Sequence, residues 1–348
     1  MEYEEYNYEL EYYNWTYWRG NWTQEEEKPD LIHNLVFDVV LLILTLVGNS
    51  TVLVVIINVA QKSRMSFYFI NLAVADLLCG IFYIVPRIVR HCNDGRFYGG
   101  DTLCKLQEYL ANVGIFGSIT VMVALSLDRL HLLLRPFGSQ RVRGKYPILQ
   151  CLSCWVTAFV VSIMGPVVFE YDDEYKDCYV DLDETEYKIY FHTIFVVVFI
   201  IPTMILMISY SVIAVIICRV SRRDTGIEST EIPSSNRRQL SLLSSRRNSH
   251  SSGSEQREPT LSKSQTKTIK MTFLIVVAYF CCWAPYMIVT LLVIHGLVHI
   301  STPVNIFING LLPLNSVVNP LIYLAFSSRL LKKFRKKINR RLCTTRMT

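Results

Sequence analysis

The chain has 348 residues, of which 51% are hydrophobic and only 18% are charged. Soluble proteins carry about a quarter of their residues as charged side chains, so this composition argues against a soluble protein. The net charge of +6 hides a partition, because long uncharged runs alternate with short charged connectors. That pattern is typical of a chain that crosses a membrane several times.

The first 30 residues form an acidic segment that holds nine Asp and Glu residues against two bases, Arg19 and Lys28. The segment has no basic stretch followed by an apolar run, so we expect that it is not a cleavable signal peptide. Its charge density without an apolar face predicts a disordered tail, residues 1–30. Two sequons in this tail, at Asn14 and Asn21, are candidate glycosylation sites.

Seven stretches are apolar and long enough to cross a membrane, since a transmembrane helix needs about 20 mostly apolar residues. Lipid offers the backbone no hydrogen-bonding partner, so each stretch is predicted to be a helix. The predicted fold is therefore an all-α membrane protein, a seven-helix bundle within residues 31–326. We number the stretches span one to span seven in chain order: Leu31–Val59, Ser66–Val89, Thr102–Leu134, Tyr146–Phe169, Tyr187–Cys218, Thr268–Leu292 and Pro303–Phe326.

The connectors predict the orientation, because cytoplasmic loops retain Lys and Arg. These residues gather after spans one, three, five and seven, whereas residues 170–186 hold nine acids and one base. We therefore expect an extracellular N-terminus and a cytoplasmic C-terminus. The loop 221–263 is rich in Ser and Arg, which predicts a disordered cytoplasmic linker.

An apolar four-residue repeat lies among Lys and Arg after span seven, at Leu330, Phe334, Ile338 and Leu342. It predicts a short amphipathic helix on the inner membrane surface within residues 327–348. Cys343, at the end of this repeat, is a candidate palmitoylation site.

Asp76 is the deepest ionisable residue of the spans, and such a residue is by default a functional hypothesis. Other spans offer polar groups at similar depth: Asn49, Ser118, Asn315, Ser316 and Asn319. One carboxylate with several hydroxyl and amide oxygens suits a small hard cation such as Na⁺. It equally suits a water network that rearranges as helices move, and the alternative is a protonated or helix-capped carboxyl.

Asp128 and Arg129 lie at the cytoplasmic end of span three. If exposed, an adjacent acid and base contribute little to stability. At a helix end that faces the cytoplasm, however, the arginine can exchange partners when neighbouring helices shift. The pair is therefore a candidate switch.

Prolines interrupt five of the spans, at Pro86, Pro166, Pro202, Pro285 and Pro320. Each removes a backbone hydrogen bond and kinks its helix, which a bundle tolerates when a neighbour binds the freed carbonyl. Trp283 lies beside one kink, and Asn319 and Tyr323 lie beside another. Several kinks in one small bundle indicate a bundle that bends.

Features of other protein classes are missing from the sequence. It has no phosphate-binding glycine loop, no zinc-ligand spacing and no nucleophile elbow, so we expect no enzymatic activity and no nucleic-acid partner.

Most cysteines fall within spans. Three are predicted at the oxidising outer side: Cys92, Cys104 and Cys178.

Taken together, these features resemble the rhodopsin-like (class A) G protein-coupled receptors, over nearly the whole chain from Leu31 to Leu342. The resemblance rests on motifs in every span or beside it: Gly48-Asn49, LAVAD at 72–76, Cys104 with Cys178, Asp128-Arg129, Trp155, Pro202 with Tyr210, CWAP at 282–285 and NPLIY at 319–323.

The resemblance implies a disulfide between Cys104 and Cys178, with Cys92 unpaired. It implies no cofactor beyond an allosteric sodium ion, in a site formed by Asp76, Ser118, Asn315 and Asn319. It also implies an activation switch made of Asp128, Arg129, Tyr210, Trp283, Asn319, Pro320 and Tyr323.

Within the family, the chain is most similar to the vasopressin, oxytocin and neuropeptide S receptors, through RFYG at 96–99 and AY-x-x-CWAP at 278–285. The pocket differs, because glutamines of those receptors correspond to Tyr83, Arg87 and Ala111 here, and a lysine corresponds to Glu108. The ligand is therefore expected to be neither vasopressin nor oxytocin. The candidate ligand-binding residues are Arg87, Glu108, Ala111, Tyr286 and Thr290.

The resemblance implies a plasma-membrane receptor that binds an extracellular peptide and activates a heterotrimeric G protein, with arrestin and receptor kinases as further partners. The tyrosine-rich acidic tail is a candidate for sulfation, and it predicts a basic ligand. A non-signalling decoy receptor stays open, because Leu130 replaces the tyrosine that usually follows the Asp-Arg pair. A small transporter would show inverted repeats or broken helices with ion sites, which the sequence does not indicate.

Overall fold

The computed structural model describes residues 29–59, 64–93, 95–134, 145–228 and 263–345. Seven of its helical segments are long and apolar enough to cross a membrane, which confirms the predicted all-helical bundle. Residues 1–28 of the predicted tail, with Asn14 and Asn21, lie outside the described residues. So do residues 229–262 of the predicted linker.

The spans keep their order and numbering, with these observed bounds: span one, Pro29–Val59; span two, Arg64–Cys79, a π-helical turn Gly80–Ile84 and Val85–Cys92; span three, Gly100–Leu134; span four, Tyr146–Val161 and Met164–Val168; span five, Glu184–Ile194, a π-helical turn Phe195–Ile200 and Ile201–Glu228; span six, Lys263–Ile294; span seven, Thr302–Phe326. The C-terminal helix, Ser328–Thr345, follows at once. Lys337 Nζ donates to the Asn58 carbonyl at the end of span one, at 2.7 Å.

Span five extends beyond its predicted ends. A capping box sets its start: the Asp183 carboxylate accepts the Glu186 amide at 2.7 Å, and the Glu186 carboxylate accepts the Asp183 amide at 3.2 Å. These bonds satisfy amides that would otherwise lack partners at a helix start. At the other end the helix continues to Glu228, so the prediction of a linker from residue 221 was wrong for its first part.

The carbonyls that two prolines leave without an amide donor are bound by other spans. Pro202 cannot donate to the carbonyl of Val198, which instead accepts the Tyr279 hydroxyl of span six at 2.7 Å. Pro320 cannot donate to the Ser316 carbonyl, which accepts the Asn49 amide of span one at 3.1 Å. Each kink is thus stabilised by a polar side chain from a neighbouring span.

Glycine allows close approach at two places in the bundle. A Cβ atom on Gly114 of span three would lie 2.6 Å from the Cys79 nitrogen of span two. A Cβ atom on Gly48 would lie 2.9 Å from Cγ of Pro320. Small residues allow such tight contact between membrane helices, which otherwise gain little from apolar burial in lipid.

An antiparallel hairpin, β1 (Phe169–Asp172) and β2 (Asp177–Val180), lies between spans four and five. Sequence reasoning treated this acidic segment only as a loop. The Asp172 carboxylate accepts the amides of Glu174 and Tyr175, which closes the turn between the strands. We call the end of the bundle that carries this hairpin the hairpin end, and the end that carries Asp128 the opposite end.

Candidate functional site

The hairpin is fixed over span three by a disulfide between Cys104 and Cys178. Cys104 lies in the first turns of the span, Cys178 lies on β2, and their Cα atoms are 5.6 Å apart. Cys92 is a free, exposed thiol, so the predicted pairing is confirmed. The disulfide ties β2 to the start of span three.

Arg90 connects span two to the hairpin. Its Nε lies 3.7 Å from an Asp177 oxygen, and its guanidinium lies 5.5 Å from the centre of the Phe97 ring. Burial raises the pKa of the Asp177 carboxyl, and Arg90 offsets part of that rise. The positive charge of Arg90 is therefore already matched within the protein.

Arg87 belongs to a second charge cluster, between spans one and two. Its Nε donates to the fully buried Asp38 carboxylate at 3.0 Å, and its Nη1 donates to the Tyr83 hydroxyl at 3.3 Å. His91 Nε2 lies 3.2 Å from the same Asp38 oxygen. Asp38, and not Glu108, therefore supplies the counter-charge of Arg87.

Asp38 is a site residue that the sequence reasoning missed. The available signal was an ionisable side chain within the apolar run of span one. The sequence does not show which face of span one turns toward span two, so the partner of Asp38 required the structure.

Glu108 differs from both arginines, because the described part of the chain shows no ion pair for it. It is half-buried and accepts a hydrogen bond from Gln107 Nε2 at 2.9 Å. Tyr190 of span five lies close enough to interact electrostatically with the Glu108 carboxylate. Ala111, one turn deeper on span three, is 2% exposed and forms an apolar wall below the carboxylate.

Tyrosine side chains surround this part of the bundle. Tyr286 of span six lies near Tyr83, Tyr187 and Tyr190 and hydrogen-bonds to the buried Thr290. The structure therefore brings four of the predicted ligand-binding residues to the same end: Glu108, Ala111, Tyr286 and Thr290. The fifth, Arg87, contacts this group through Tyr83.

Asp76 lies at the centre of a buried polar group between spans two, three and seven. Its two oxygens accept the Ser118 hydroxyl at 2.9 Å and the Asn319 amide at 3.0 Å. Ser316 also hydrogen-bonds to it. The side-chain oxygens of Asn315 and Asn319 are buried without a hydrogen-bond partner. The donor set thus fits a small hard cation, and the unpartnered amide oxygens are available as further ligands.

The switch residues Asp128 and Arg129 are both buried, with exposures of 0% and 8%. Asp128 accepts Arg129 Nη2 at 2.8 Å and also Arg64 Nη2 of span two. The alternative of an exposed pair is therefore wrong. Arg64, which the sequence reasoning did not assign to the switch, shares the carboxylate and holds spans two and three together at the opposite end.

The remaining switch residues pack on different spans. The Tyr210 ring lies 5.6 Å from Phe273 of span six, and the Tyr323 ring lies 4.4 Å from Phe69 of span two. Trp283 is 5% exposed and lies beside Pro285. These contacts place Tyr210 and Tyr323 at boundaries between spans.

The side chain of Cys343, the predicted palmitoylation site, lies outside the described residues, although its position falls within the C-terminal helix.

The chain matches known proteins along most of its length. A family model described as 7 transmembrane receptor (rhodopsin family) matches residues 48–323. Those residues include all the predicted switch, disulfide, ligand-binding and sodium positions.

Three relatives illustrate the similarity. The chain is 34% identical to the mesotocin receptor of Rhinella marina, over 83% of this chain and 72% of the relative. It is 29% identical to the neuropeptide S receptor of Macaca mulatta, over 83% and 75%. It is 29% identical to the vasopressin V1b receptor of Homo sapiens, over 84% and 72%.

The family is one of membrane receptors and not of enzymes, as the sequence predicted. The seven spans, the disulfide and the buried Asp128–Arg129 pair agree with the match in sequence. The chain belongs to the rhodopsin family of seven-transmembrane receptors.

Proposed function

We propose that the chain is a plasma-membrane receptor that binds a basic peptide at its hairpin end and activates a heterotrimeric G protein at its opposite end. The hairpin end then faces the outside of the cell. The relatives support a peptide ligand, because they are named as receptors for mesotocin, neuropeptide S and vasopressin. The changed pocket residues support a ligand other than vasopressin or oxytocin.

The observation that carries the proposal is the charge balance of the pocket. Arg87 is neutralised by Asp38, and Arg90 is neutralised by Asp177. Glu108 is half-buried and accepts a hydrogen bond from the neutral Gln107, while the charge of Arg90, which Asp177 already pairs, acts on it only from beyond ion-pair distance. A half-buried carboxylate next to tyrosine rings favours a cationic group, which gains an ion pair and cation–π contacts of about 0.5–2 kcal/mol each.

The acids above the pocket favour the same ligand. A hydrogen bond with Asp181, together with its charge, raises the pKa of Glu170. This effect is expected where carboxylates crowd together. The acidic tail adds nine further acids, and tyrosine sulfation would add more charge. Such a field speeds the encounter with a cation by roughly 10–10³-fold.

At the opposite end, activation requires Arg129 to leave Asp128 and meet the G protein as spans move. A ligand drives this change only if it binds the active arrangement better than the resting one. Asp76, Ser118, Asn315 and Asn319 would hold an allosteric sodium ion that favours the resting arrangement. Arrestin and receptor kinases are proposed as further partners of the same end.

Two other functions have less support than a signalling receptor. A decoy receptor has only Leu130 in its favour, whereas Asp128, Arg129, Tyr210 and Tyr323 are all in place for coupling. Every relative described above is named as a receptor, and none as a transporter. We therefore retain the signalling receptor.

The proposal is tested by screening basic and amidated peptides on cells that express the chain, with calcium and cyclic AMP measured in parallel. Glu108→Gln should then lower the potency of the active peptide by about ten-fold or more, a loss of about 1.4 kcal/mol. Asp101→Asn is the matched control, because this exposed carboxylate of the same span already pairs with Lys105. Unchanged potency in Glu108→Gln would remove the proposed role of this carboxylate.

A further inference from the structure

Two histidines face each other between spans five and six at the hairpin end. His192 lies in the first helical segment of span five, and His295 directly follows the last residue of span six. Their Nε2 atoms are 3.2 Å apart, and the ring planes meet at 73°. Neither residue is part of the peptide pocket or of the switch described above.

Each ring is positioned by the backbone around it. The Nδ1 atom of His192 lies 2.6 Å from the Lys188 carbonyl. Since a carbonyl only accepts hydrogen bonds, Nδ1 of His192 carries the proton, and its Nε2 lone pair accepts a hydrogen bond from Nε2–H of His295. The His295 amide donates to the Leu291 carbonyl at 3.3 Å, and Gly296 at φ +65° ends the helix directly after it.

The distance between the two nitrogens suits a shared metal ion. Zinc binds imidazole nitrogen at about 2.0–2.1 Å with tetrahedral angles, which places two ligand nitrogens roughly 3.3 Å apart. A hydrogen bond from Nδ1 of a ligand histidine to a carbonyl is the usual outer contact that fixes the tautomer at zinc sites. The 3.2 Å separation and the Lys188 contact meet both conditions.

We propose that His192 and His295 form a binding site for a divalent transition-metal ion of the zinc type, joining the hairpin ends of spans five and six. When the ion binds, it replaces the hydrogen bond between the rings: His295 loses its Nε2 proton to solvent and takes up a proton on Nδ1, and each Nε2 then donates its lone pair to the ion. The described part of the chain has no cluster of three or more His, Cys, Asp or Glu side chains for a metal. Water therefore fills the other coordination positions, and the exposed His295 gives the ion access from solvent.

The site would couple to the bundle because its two ligands lie on different spans. An ion that needs both rings binds only while they converge, so it stabilises that arrangement against unfolding and against separation of the two spans. The binding itself requires neither the peptide nor the G protein. The site can therefore be tested even if the proposed receptor function is wrong.

The test is a Zn²⁺ titration of the purified full-length chain in lipid nanodiscs, in competition with a chromophoric zinc chelator. The wild type should bind one ion more than the double variant His192→Ala/His295→Ala, which gives the background of all other sites. Each single variant should weaken that binding by at least about ten-fold. His299→Ala is the matched control, because it removes an exposed histidine of the adjacent loop and should leave the titration unchanged.

Thermal unfolding of the same samples shows whether the variants fold. Without metal, the wild type and both single variants should unfold at similar temperatures, and Zn²⁺ should raise the midpoint of the wild type and of His299→Ala only. His295→Asn keeps a polar side chain at the position and should still lose the zinc effect. Equal zinc binding by the wild type and the double variant, or an equal loss in His299→Ala, would overturn the proposal.

Discussion

The charged side chains of this receptor are distinguished by their partners rather than by their depth. Asp38 and Asp128 are both fully buried, and each carboxylate contacts two basic side chains. A buried charge pair is only weak evidence for net stability, but removal of one partner leaves an uncompensated charge. Substitutions at these two positions should therefore have large effects of different kinds.

Asp38→Asn should destabilise the hairpin end, because it leaves Arg87 and His91 without their carboxylate. The expected cost is about 3–5 kcal/mol, measured as a lower thermal unfolding midpoint in detergent and as lower surface expression. The double variant Asp38→Asn/Arg87→Leu removes both charges and should recover part of the loss. Equal stability of Asp38→Asn and the wild type would mean that the cluster does not form.

Asp128→Asn should raise signalling in the absence of ligand, because the neutral amide holds Arg129 and Arg64 less tightly. Arg129→Ala should abolish nucleotide exchange on the G protein while antagonist binding persists. The measurement is GTP loading with and without agonist, normalised to surface receptor. Arg64→Ala controls for the second contact of Asp128 and should raise basal exchange less than Asp128→Asn. Retained exchange in Arg129→Ala would refute the switch assignment.

The sequence identified Asp76 and the Asp128–Arg129 pair because an ionisable group in an apolar run is conspicuous, and it identified Glu108 because this residue replaces a lysine of the similar receptors. It did not identify Asp38 as the partner of Arg87, or Arg64 as a second partner of Asp128. Such pairs depend on the rotation of each helix about its axis. Because most positions in these spans are apolar all round, hydrophobic periodicity does not specify that rotation.

At the scale of the helices, the kinks depend on side chains from neighbouring spans. Apolar length predicted all seven spans, since lipid requires each crossing segment to satisfy its own backbone. The ends of span five were missed for local reasons: a capping box begins it at Glu184, and its helix continues to Glu228 among polar residues. The hairpin was missed because its strands are short and its register depends on the disulfide to span three.

Tyr279→Phe should destabilise the bundle by about 0.6–2 kcal/mol, because the Val198 carbonyl loses its donor. The same substitution in a Pro202→Ala background should cost less, since the alanine amide can bind that carbonyl within its own helix. The measurement is a double-mutant cycle of thermal unfolding in detergent. Tyr286→Phe is the matched control, because its hydroxyl bonds to Thr290 of the same span and its effect should therefore be equal with and without Pro202→Ala. Additive effects of Tyr279→Phe and Pro202→Ala would contradict this account of the kink.

On the scale of the whole molecule, acidic and basic residues are concentrated toward opposite ends of the bundle. Acidic residues crowd the hairpin end, and basic residues follow spans one, three, five and seven toward the opposite end. This separation explains why a net charge of +6 is compatible with a basic ligand. In the proposed function, the ligand meets only the acidic end, while the basic end faces anionic lipid and the G protein.

Deletion of Met1–Trp18 should slow the association of a basic agonist and weaken its potency without lowering the maximal response. The reason is that the tail contributes long-range attraction rather than contacts in the pocket, so its effect should shrink as salt rises. Association rates at low and high ionic strength measure this directly. A variant that keeps the tail but replaces its tyrosines with phenylalanine isolates the contribution of sulfation. Association rates that respond neither to the deletion nor to salt would make the tail a spacer.

The central claim is that a cation on a peptide ligand meets Glu108 and thereby drives nucleotide exchange on a G protein. The most direct measurement is exchange by purified receptor and G protein in nanodiscs, stimulated by the most potent basic peptide of the screen and by analogues in which each Arg or Lys is neutralised. On the wild type, one neutralised analogue should be about ten-fold or more less potent than the parent peptide. On Glu108→Gln, the same analogue should be nearly as potent as the parent peptide, so that the two changes are not additive. Full potency of every neutralised analogue on the wild type would contradict the claim.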